Sequence, residues 1–194
     1  DRLLSKELKN DTINLFEICK KNKTCQFICC SATIKDEIKK YFKDLDFNFI
    51  KLPSEDIITK KIKHIAIYAE NRDKANTLRS FLACVKPQKA LIFTSRPQDA
   101  EILASKLRYK KIQCECLHAK SDKIARKSAI DRFRSGKSNL LITSDLASRG
   151  LDINNITHVI QMDLPKSEDF FIHRTGRNAR CGKEGINVVI GDAY

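Results

Sequence analysis

The sequence predicts an α/β fold in which a mostly parallel β-sheet carries helices on both faces. Short apolar runs of strand length alternate along the chain with segments that have apolar residues at helical spacing. Such alternation is typical of βαβ units, in which a crossover helix packs on parallel strands. Short runs such as 90–93 and 139–142 are mostly apolar, as expected for strands that are covered on both faces, whereas 62–69 alternates.

The predicted strands and helices follow from these runs and from the residues that flank them. Strands are predicted at 25–31, 62–69, 90–93, 139–142, 157–161 and 186–190. Helices are predicted at 72–84, 98–108 and 122–134, with a further one beginning near Ser167. Pro97 suits the first turn of a helix, and Gly136 suits the end of one. The polar segment Lys51–Lys61, which contains Pro53, marks a domain boundary.

Composition narrows the class of protein. The chain has 194 residues and a formal net charge of +13, with 42% hydrophobic and 31% charged residues, which excludes a disordered or fibrous chain. It has no apolar run of about 18 residues and no apolar leader, so we expect an intracellular protein, cytoplasmic or nuclear, without a membrane partner. The charge favours a polyanion as partner, although a general surplus of lysine would also produce it.

The eight cysteines predict free thiols rather than disulfides or a metal site. No two of them form a C-x-x-C pair. Cys114, Cys116 and His118 would face one side of an extended segment, but zinc needs a fourth ligand and a tetrahedral arrangement. We therefore predict no metal site.

Polar side chains follow the predicted strands at the edge where α/β proteins bind ligands. Thr94-Ser95-Arg96 follows one strand, and the segment 143–152 follows another. The helix that begins near Ser167 runs into His173-Arg174-Thr175-Gly176-Arg177-Asn178-Ala179-Arg180. If the helix continues, its three arginines share one face, where phosphates would hold them together. A solvated basic helix end, stabilised by the helix dipole, is the alternative.

A nucleotide-binding P-loop is not present in the chain. Gly136-Lys137-Ser138 has the ending of that motif, but Asp131 occupies the position of its first glycine. These residues also follow a predicted helix and precede a strand, which is the reverse of the required order.

The order of these segments resembles the second RecA-like domain of DEAD-box ATP-dependent RNA helicases over essentially the whole chain. The segment 144–152 resembles motif V, and Asp163-Leu164-Pro165 followed by 173–180 resembles motif VI and its approach. Ser31-Ala32-Thr33 resembles the SAT motif, and Asp1-Arg2-Leu3-Leu4 resembles the end of the DEAD motif and its sequel. Segments 91–93 and 118–136 resemble motif IV and the surroundings of the QxxR element.

The resemblance implies a division into domains. Residues 1–50 would be the C-terminal remnant of the first RecA-like domain, beginning inside motif II, and 51–61 would be a linker. Residues 62–194 would form the second RecA-like domain. We expect the apolar strand around Phe27, Ile28 and Cys29 to be buried against an improvised surface or another chain, so that residues 1–50 could support a homo-oligomer.

The resemblance also implies a role in ATP hydrolysis. Arg177 and Arg180 would be catalytic arginine fingers, and Gly150 and Asp152 would approach the ATP ribose. ATP and Mg²⁺ would be cofactors of the full-length parent protein, whose first lobe holds the P-loop. The chain alone is therefore expected to be inactive.

RNA would be the second ligand, gripped through phosphates and 2′-hydroxyls during local duplex unwinding. The implied RNA contacts are Arg96, Arg126 and Ser144. Coupling to the first RecA-like lobe is implied for five residues: Ser31, Thr33, Asp145, His173 and Arg174.

Of the departures from the family pattern, those at Lys123 and Arg96 bear on the RNA contacts. Lys123 replaces the glutamine of QxxR, Ala119 replaces a glycine, and Arg96 replaces a threonine of motif IV. A stand-alone RNA-binding or adaptor module that has lost its ATPase half, and one half of a motor acting on DNA, remain alternatives.

Overall fold

The computed structural model describes residues 8–22, 25–28, 30, 48, 50, 61–117, 122–148, 151–165, 167–179 and 183–192. The chain divides into two compact units, Asp1–Leu52 and Pro53–Tyr194. Among the described residues, no helix is both long and apolar enough to cross a membrane.

The described part of the first unit consists of one helix and a short extended segment. Helix α1 (Lys9–Lys20) has no buried residue, and the rings of Phe16 and Phe27 lie 4.4 Å apart. The strand predicted over 25–31 is wrong for 25–28, which has no regular secondary structure. Ile28 is 77% exposed, so the expected burial is also wrong for this side chain within the chain itself. A strand needs a neighbour for its backbone hydrogen bonds, and the described part of this unit contains none.

The second unit is an α/β domain, as predicted. Its elements in chain order are β1 (Ile62–Tyr68), α2 (Lys74–Val85), β2 (Ala90–Thr94), α3 (Pro97–Tyr109), β3 (Glu115–Leu117), α4 (Lys123–Arg134), β4 (Leu140–Ser144), α5 (Asp145–Ser148), β5 (His158–Gln161), α6 (Glu168–Thr175) and β6 (Gly185–Gly191). The described strands form one six-stranded sheet in the order β1-β6-β5-β2-β4-β3. Every strand pair is parallel.

Two apolar cores cover the two faces of this sheet. Successive residues of the central strand β2 alternate between them, with Ile92 in one core and Leu91 in the other. The first core packs α2 and α3 on the sheet, and Leu78 and Leu107 are fully buried there. The second packs α4 on the opposite face through Phe133, which is also fully buried.

The five strands predicted in this unit are confirmed to within one or two residues. Strand β3 was not predicted as a strand of the sheet because it is a three-residue edge strand in a half-polar segment. Cys114 is part of the first core, and the half-buried Cys116 packs against it. Leu117 is part of the second core. Burial raises the pKa of Cys114 and, more strongly, raises that of Cys116 to about 11. His118 lies outside the described residues.

Candidate functional site

All strands are parallel, so the segments after β2, β4 and β5 emerge at one edge of the sheet. Helix α6 begins beyond β5, where Ser167 accepts a hydrogen bond from Phe170 N at 3.5 Å. The described polar residues after these strands are therefore brought together, as predicted from the sequence.

Arg174 on α6 lies among the polar residues at the ends of these strands and contacts several of them. It is 1% exposed, and its guanidinium donates to both carboxylate oxygens of Asp145 at 2.6 Å. Its Nη1 donates to Gln161 Oε1 at 3.2 Å and to the Asp163 carbonyl at 2.9 Å. The guanidinium also lies over the ring of Phe93, 5.3 Å from its centroid. A buried cation is tolerable here because its donors meet acceptors of the same domain.

The network continues through the interior of the sheet. Gln161 Nε2 donates to Asn187 Oδ1 at 3.0 Å, and Asn187 Nδ2 lies 3.2 Å from His64 Nδ1. The His64 ring stacks on Phe171 of α6, with centroids 5.9 Å apart. Asp145, Arg174, Gln161, Asn187 and His64 thus connect α5, α6, β5, β6 and β1, and they fix α6 on the sheet.

A second ion pair extends the same network. Lys74 Nζ lies 3.0 Å from Asp163 Oδ1 and 3.2 Å from Asp192 Oδ1. Burial by itself lowers the pKa of Lys74, but the hydrogen bonds and charges of the two carboxylates outweigh it and raise that pKa above its ordinary value. Asp163 therefore joins Lys74, through its carboxylate, to Arg174, through its carbonyl oxygen.

Arg174 and Arg177 do not share a helical face. Helix α6 ends at Thr175, and Arg177 lies beyond its end. Arg174 is enclosed in the domain, so the phosphate-facing surface predicted for it is not available in this structure. Arg180 lies outside the described residues.

Arg177 is half-buried and points back to the segment after α5. Its Nη1 donates to the Leu151 carbonyl at 3.0 Å, and Arg134 Nη2 donates to the next carbonyl, that of Asp152, at 2.7 Å. Two arginines from different elements thus hold the main chain of Leu151 and Asp152. The structure thereby brings the predicted arginine finger Arg177 next to the predicted ATP contact Asp152. Gly150 lies outside the described residues.

The three predicted RNA contacts differ in accessibility. The Arg96 side chain is 74% exposed and forms two hydrogen bonds with Asp99, at 2.9 and 3.1 Å. Arg126 is half-buried, and its Nη2 donates to the Ala147 carbonyl at 2.7 Å. Ser144 is 1% exposed because it ends the interior strand β4, and its Oγ has no partner among the described residues. A contact between RNA and this hydroxyl is therefore not accessible in this structure.

The residues predicted to couple two lobes are placed as follows. Asp145 and Arg174 pair with each other inside the second unit. His173 is half-buried on α6, beside Arg174. Ser31 and Thr33 lie outside the described residues.

Several residues of this network carried no prediction from the sequence. The sequence contains a signal for Gln161 and Asn187, because each is a polar residue in an otherwise apolar strand segment and therefore needs a buried hydrogen-bond partner. Lys74 and Arg134 gave no signal, because each is one of many basic residues in the helices.

The all-parallel sheet with helices on both faces has the RecA-like α/β fold of helicase C-terminal domains. The sequence matches the helicase conserved C-terminal domain over residues 73–182. It is 35% identical, over 82% of the chain and 43% of the relative, to the probable ATP-dependent RNA helicase YfmL of Bacillus subtilis. The chain belongs to the DEAD-box ATP-dependent RNA helicases.

Two solved structures show the same fold. S. cerevisiae Dbp5 bound to RNA and ADP BeF3 superposes with a TM-score of 0.86 at 26% identity, over 99% of this chain and 51% of that one. Domain 2 of the DEAD-box helicase Mss116p bound to an RNA duplex superposes with a TM-score of 0.57 at 27% identity, over 66% and 53%. The chain spans about half the length of the curated relatives it matches.

Proposed function

We propose that this chain is part of an ATP-dependent RNA helicase, in which its second domain binds the RNA backbone and supplies arginine fingers to ATP held by a first lobe. The observation that carries the proposal is the arrangement around Leu151 and Asp152. Arg177 donates to the Leu151 carbonyl at 3.0 Å and Arg134 to the Asp152 carbonyl at 2.7 Å, so the Arg177 guanidinium lies against the main chain next to Asp152.

This pair of groups fits one side of a bound ATP. A carboxylate such as that of Asp152 accepts hydrogen bonds from ribose hydroxyls, and a guanidinium such as that of Arg177 matches phosphate oxygens. Phosphoryl transfer needs positive charge around the γ-phosphate, and an arginine from a second lobe supplies it when the lobes close. Arg180 is proposed as the second such residue, and Mg²⁺ is assigned to the first lobe with the P-loop.

The network around Arg174 supports a positioning role for α6. Because Arg174 is fixed by Asp145, Gln161 and Asp163, the chain leaves α6 in a defined direction toward Arg177. Catalytic groups placed by packed elements lose little freedom when the lobes close. Closure on ATP would then place both arginines while RNA is bent on the same surface, which would open a short duplex locally.

RNA binding has separate support. Arg96 and Arg126 are accessible at or near the carboxyl edge, and two helicases of the same fold were solved with RNA or an RNA duplex. Backbone contacts by arginine suit a protein that acts on many sequences.

The test is a chimera in which the chain follows the part of YfmL that precedes the matched residues. We expect no ATP hydrolysis from the chain alone and RNA-stimulated hydrolysis from the chimera. Arg177→Lys in the chimera should lower kcat by about 10³-fold or more, since lysine cannot present a guanidinium fork. The matched control is Arg72→Lys, whose side chain is 79% exposed and which should leave kcat unchanged.

Hydrolysis by the chain alone, or full activity of the Arg177→Lys chimera, would overturn the proposal. An inactive chimera that still binds RNA would favour an RNA-binding or adaptor module instead.

A further inference from the structure

Helix α4 carries a row of basic side chains that the site described above does not use. Lys123 and Lys127 line two neighbouring grooves of about 730 and 300 Å³, and Lys137, beyond the helix end, lines the larger one with them. We call Lys123, Lys127 and Lys137 the α4 ridge. All three are exposed.

The α4 ridge carries more positive than negative charge. Asp131, one helical turn from Lys127, lines both grooves with it, but no ion pair joins the two side chains. Within the part of the chain that the structure describes, none of its three lysines forms an ion pair. Arg132, in the same groove, differs, because its guanidinium donates to both carboxylate oxygens of Glu115 at 2.8 and 2.7 Å. Lys123 and Lys127 are one helical turn apart, a spacing at which like charges repel. An external anion would relieve this repulsion.

The ridge is continuous with the proposed RNA surface. Lys123 and Arg126 lie in the first turn of α4, where Arg126 reaches the Ala147 carbonyl beyond the end of β4. From there the helix runs back along the sheet, and twelve residues of α-helix span about 18 Å. Lys137 follows after the turn at Gly136, whose φ is 78°. The positive charges therefore form a line that leads away from the carboxyl edge.

We infer that the α4 ridge is an additional RNA-backbone site, along which the phosphates of a strand leaving Arg126 continue toward Lys137. The inference rests on the proposed function and extends it, because Lys127 and Lys137 add contacts beyond the QxxR element, in which Lys123 stands in place of the glutamine. A line of cations matches the regular charge of a nucleic-acid strand better than a single compact anion.

An acidic protein segment is the competing occupant. Ile124, 82% exposed beside the ridge, could contact an apolar residue of such a segment. Continuity with Arg126 favours RNA, and the experiment includes the acidic segment as a separate outcome.

The experiment measures fluorescence anisotropy of labelled single-stranded RNA with the whole chain over a range of salt concentrations. A 20-nucleotide RNA reports on the full path, and a 6-nucleotide RNA reports on the carboxyl edge. For the longer RNA, Lys127→Ala/Lys137→Ala should reduce the slope of log K against log salt by about 1.4, since each phosphate contact contributes about 0.7. Affinity at 0.1 M salt should fall by about 20-fold, and the shorter RNA should bind as before.

The matched control is Lys63→Ala/Lys106→Ala. It removes the same charge from two exposed lysines, on the opposite edge strand β1 and on α3. This control should change neither the slope nor the preference for the longer RNA. Circular dichroism of both double variants checks that they are folded.

Two results would overturn the inference. In one, the ridge variant and the control show the same RNA affinity and the same salt slope, while Arg126→Ala weakens the binding of both RNAs. That result would leave the proposed function intact. The other is loss of binding to a poly-glutamate peptide, with RNA binding unchanged, in the ridge variant. Absence of RNA binding by the unmodified chain would instead refute the proposed RNA-binding function together with this extension.

Discussion

Two basic regions of the second unit differ in what neutralises them. Arg174 is enclosed, and its guanidinium meets Asp145, Gln161 and the Asp163 carbonyl within 3.2 Å. The α4 ridge is exposed, and its three lysines form no ion pair among the described residues. The chain supplies the counter-charge of the first region itself, whereas the second region remains open to an external anion.

The difference shows that arginine spacing alone does not identify ligand contacts. Arg174 and Arg177 lie three residues apart, yet Arg174 is 1% exposed and Arg177 is half-buried beyond the helix end. The residue that stabilises the domain and the residue proposed for catalysis are therefore separated by one helical turn of sequence. Substitutions should distinguish them by the property that each one changes.

The largest expected effect is on Arg174. Arg174→Ala leaves the carboxylate of Asp145 and the amide of Gln161 without their partner, so the free energy of unfolding should fall by about 3–5 kcal/mol. Urea denaturation followed by circular dichroism measures it. Arg96→Ala, which breaks an exposed ion pair with Asp99, should lower the free energy of unfolding far less than Arg174→Ala does. Equal losses in the two variants would contradict the contrast between enclosed and exposed charges.

A smaller effect is expected at the far end of the same network. Asn187 is fully buried between Gln161 and His64, so Asn187→Leu should cost about 1–3 kcal/mol by leaving the Gln161 amide unpaired. Lys63→Ala is the control, because this exposed side chain on β1 lies outside the network and its loss should cost about 0.5 kcal/mol or less. A cost for Lys63→Ala as large as that for Asn187→Leu would mean that the buried network does not set the size of the loss.

The smallest effect is expected on the α4 ridge. Lys127→Ala/Lys137→Ala should change the free energy of unfolding by less than about 0.5 kcal/mol, because exposed lysines without partners contribute little to folding. Thermal denaturation at low and high salt measures this. Destabilisation by more than about 1 kcal/mol would show that the ridge is structural, which would remove the contrast with Arg174.

Much of the fold was predictable from local sequence. Apolar runs such as 90–93 and 139–142 predict interior strands because both faces of a parallel sheet are covered. Ser167 predicts the start of α6 because a serine can cap a helix. The end of α6 at Thr175 was not predictable, since Gly176 and the arginines beyond it are compatible with one more turn. The strand prediction was wrong for 25–28 because apolar residues alone do not provide a neighbouring strand for backbone hydrogen bonds.

The sequence predicts candidate site residues but not their partners. Motif order predicts roles for Arg177 and Asp152, which stay predictions, yet nothing in the sequence joins Arg134 to the Asp152 carbonyl or Asn187 to Gln161. The contact between Gln161 and Asn187 depends on β5 lying beside β6, which is a property of the sheet order. The burial of Ser144 and Arg174 has the same origin.

The pairing of β1 with β6 has a consequence for biosynthesis. Ile62 pairs with Gly185, so the first strand of this domain meets its neighbour about 120 residues later in the chain. At about 5–20 residues per second, the ribosome completes that neighbour roughly 6–25 s after β1 has been made. Throughout this interval β1 has an unpaired edge on the nascent chain, where chaperones or premature strand pairing compete for it. The domain can complete its sheet only after the ribosome has made β6.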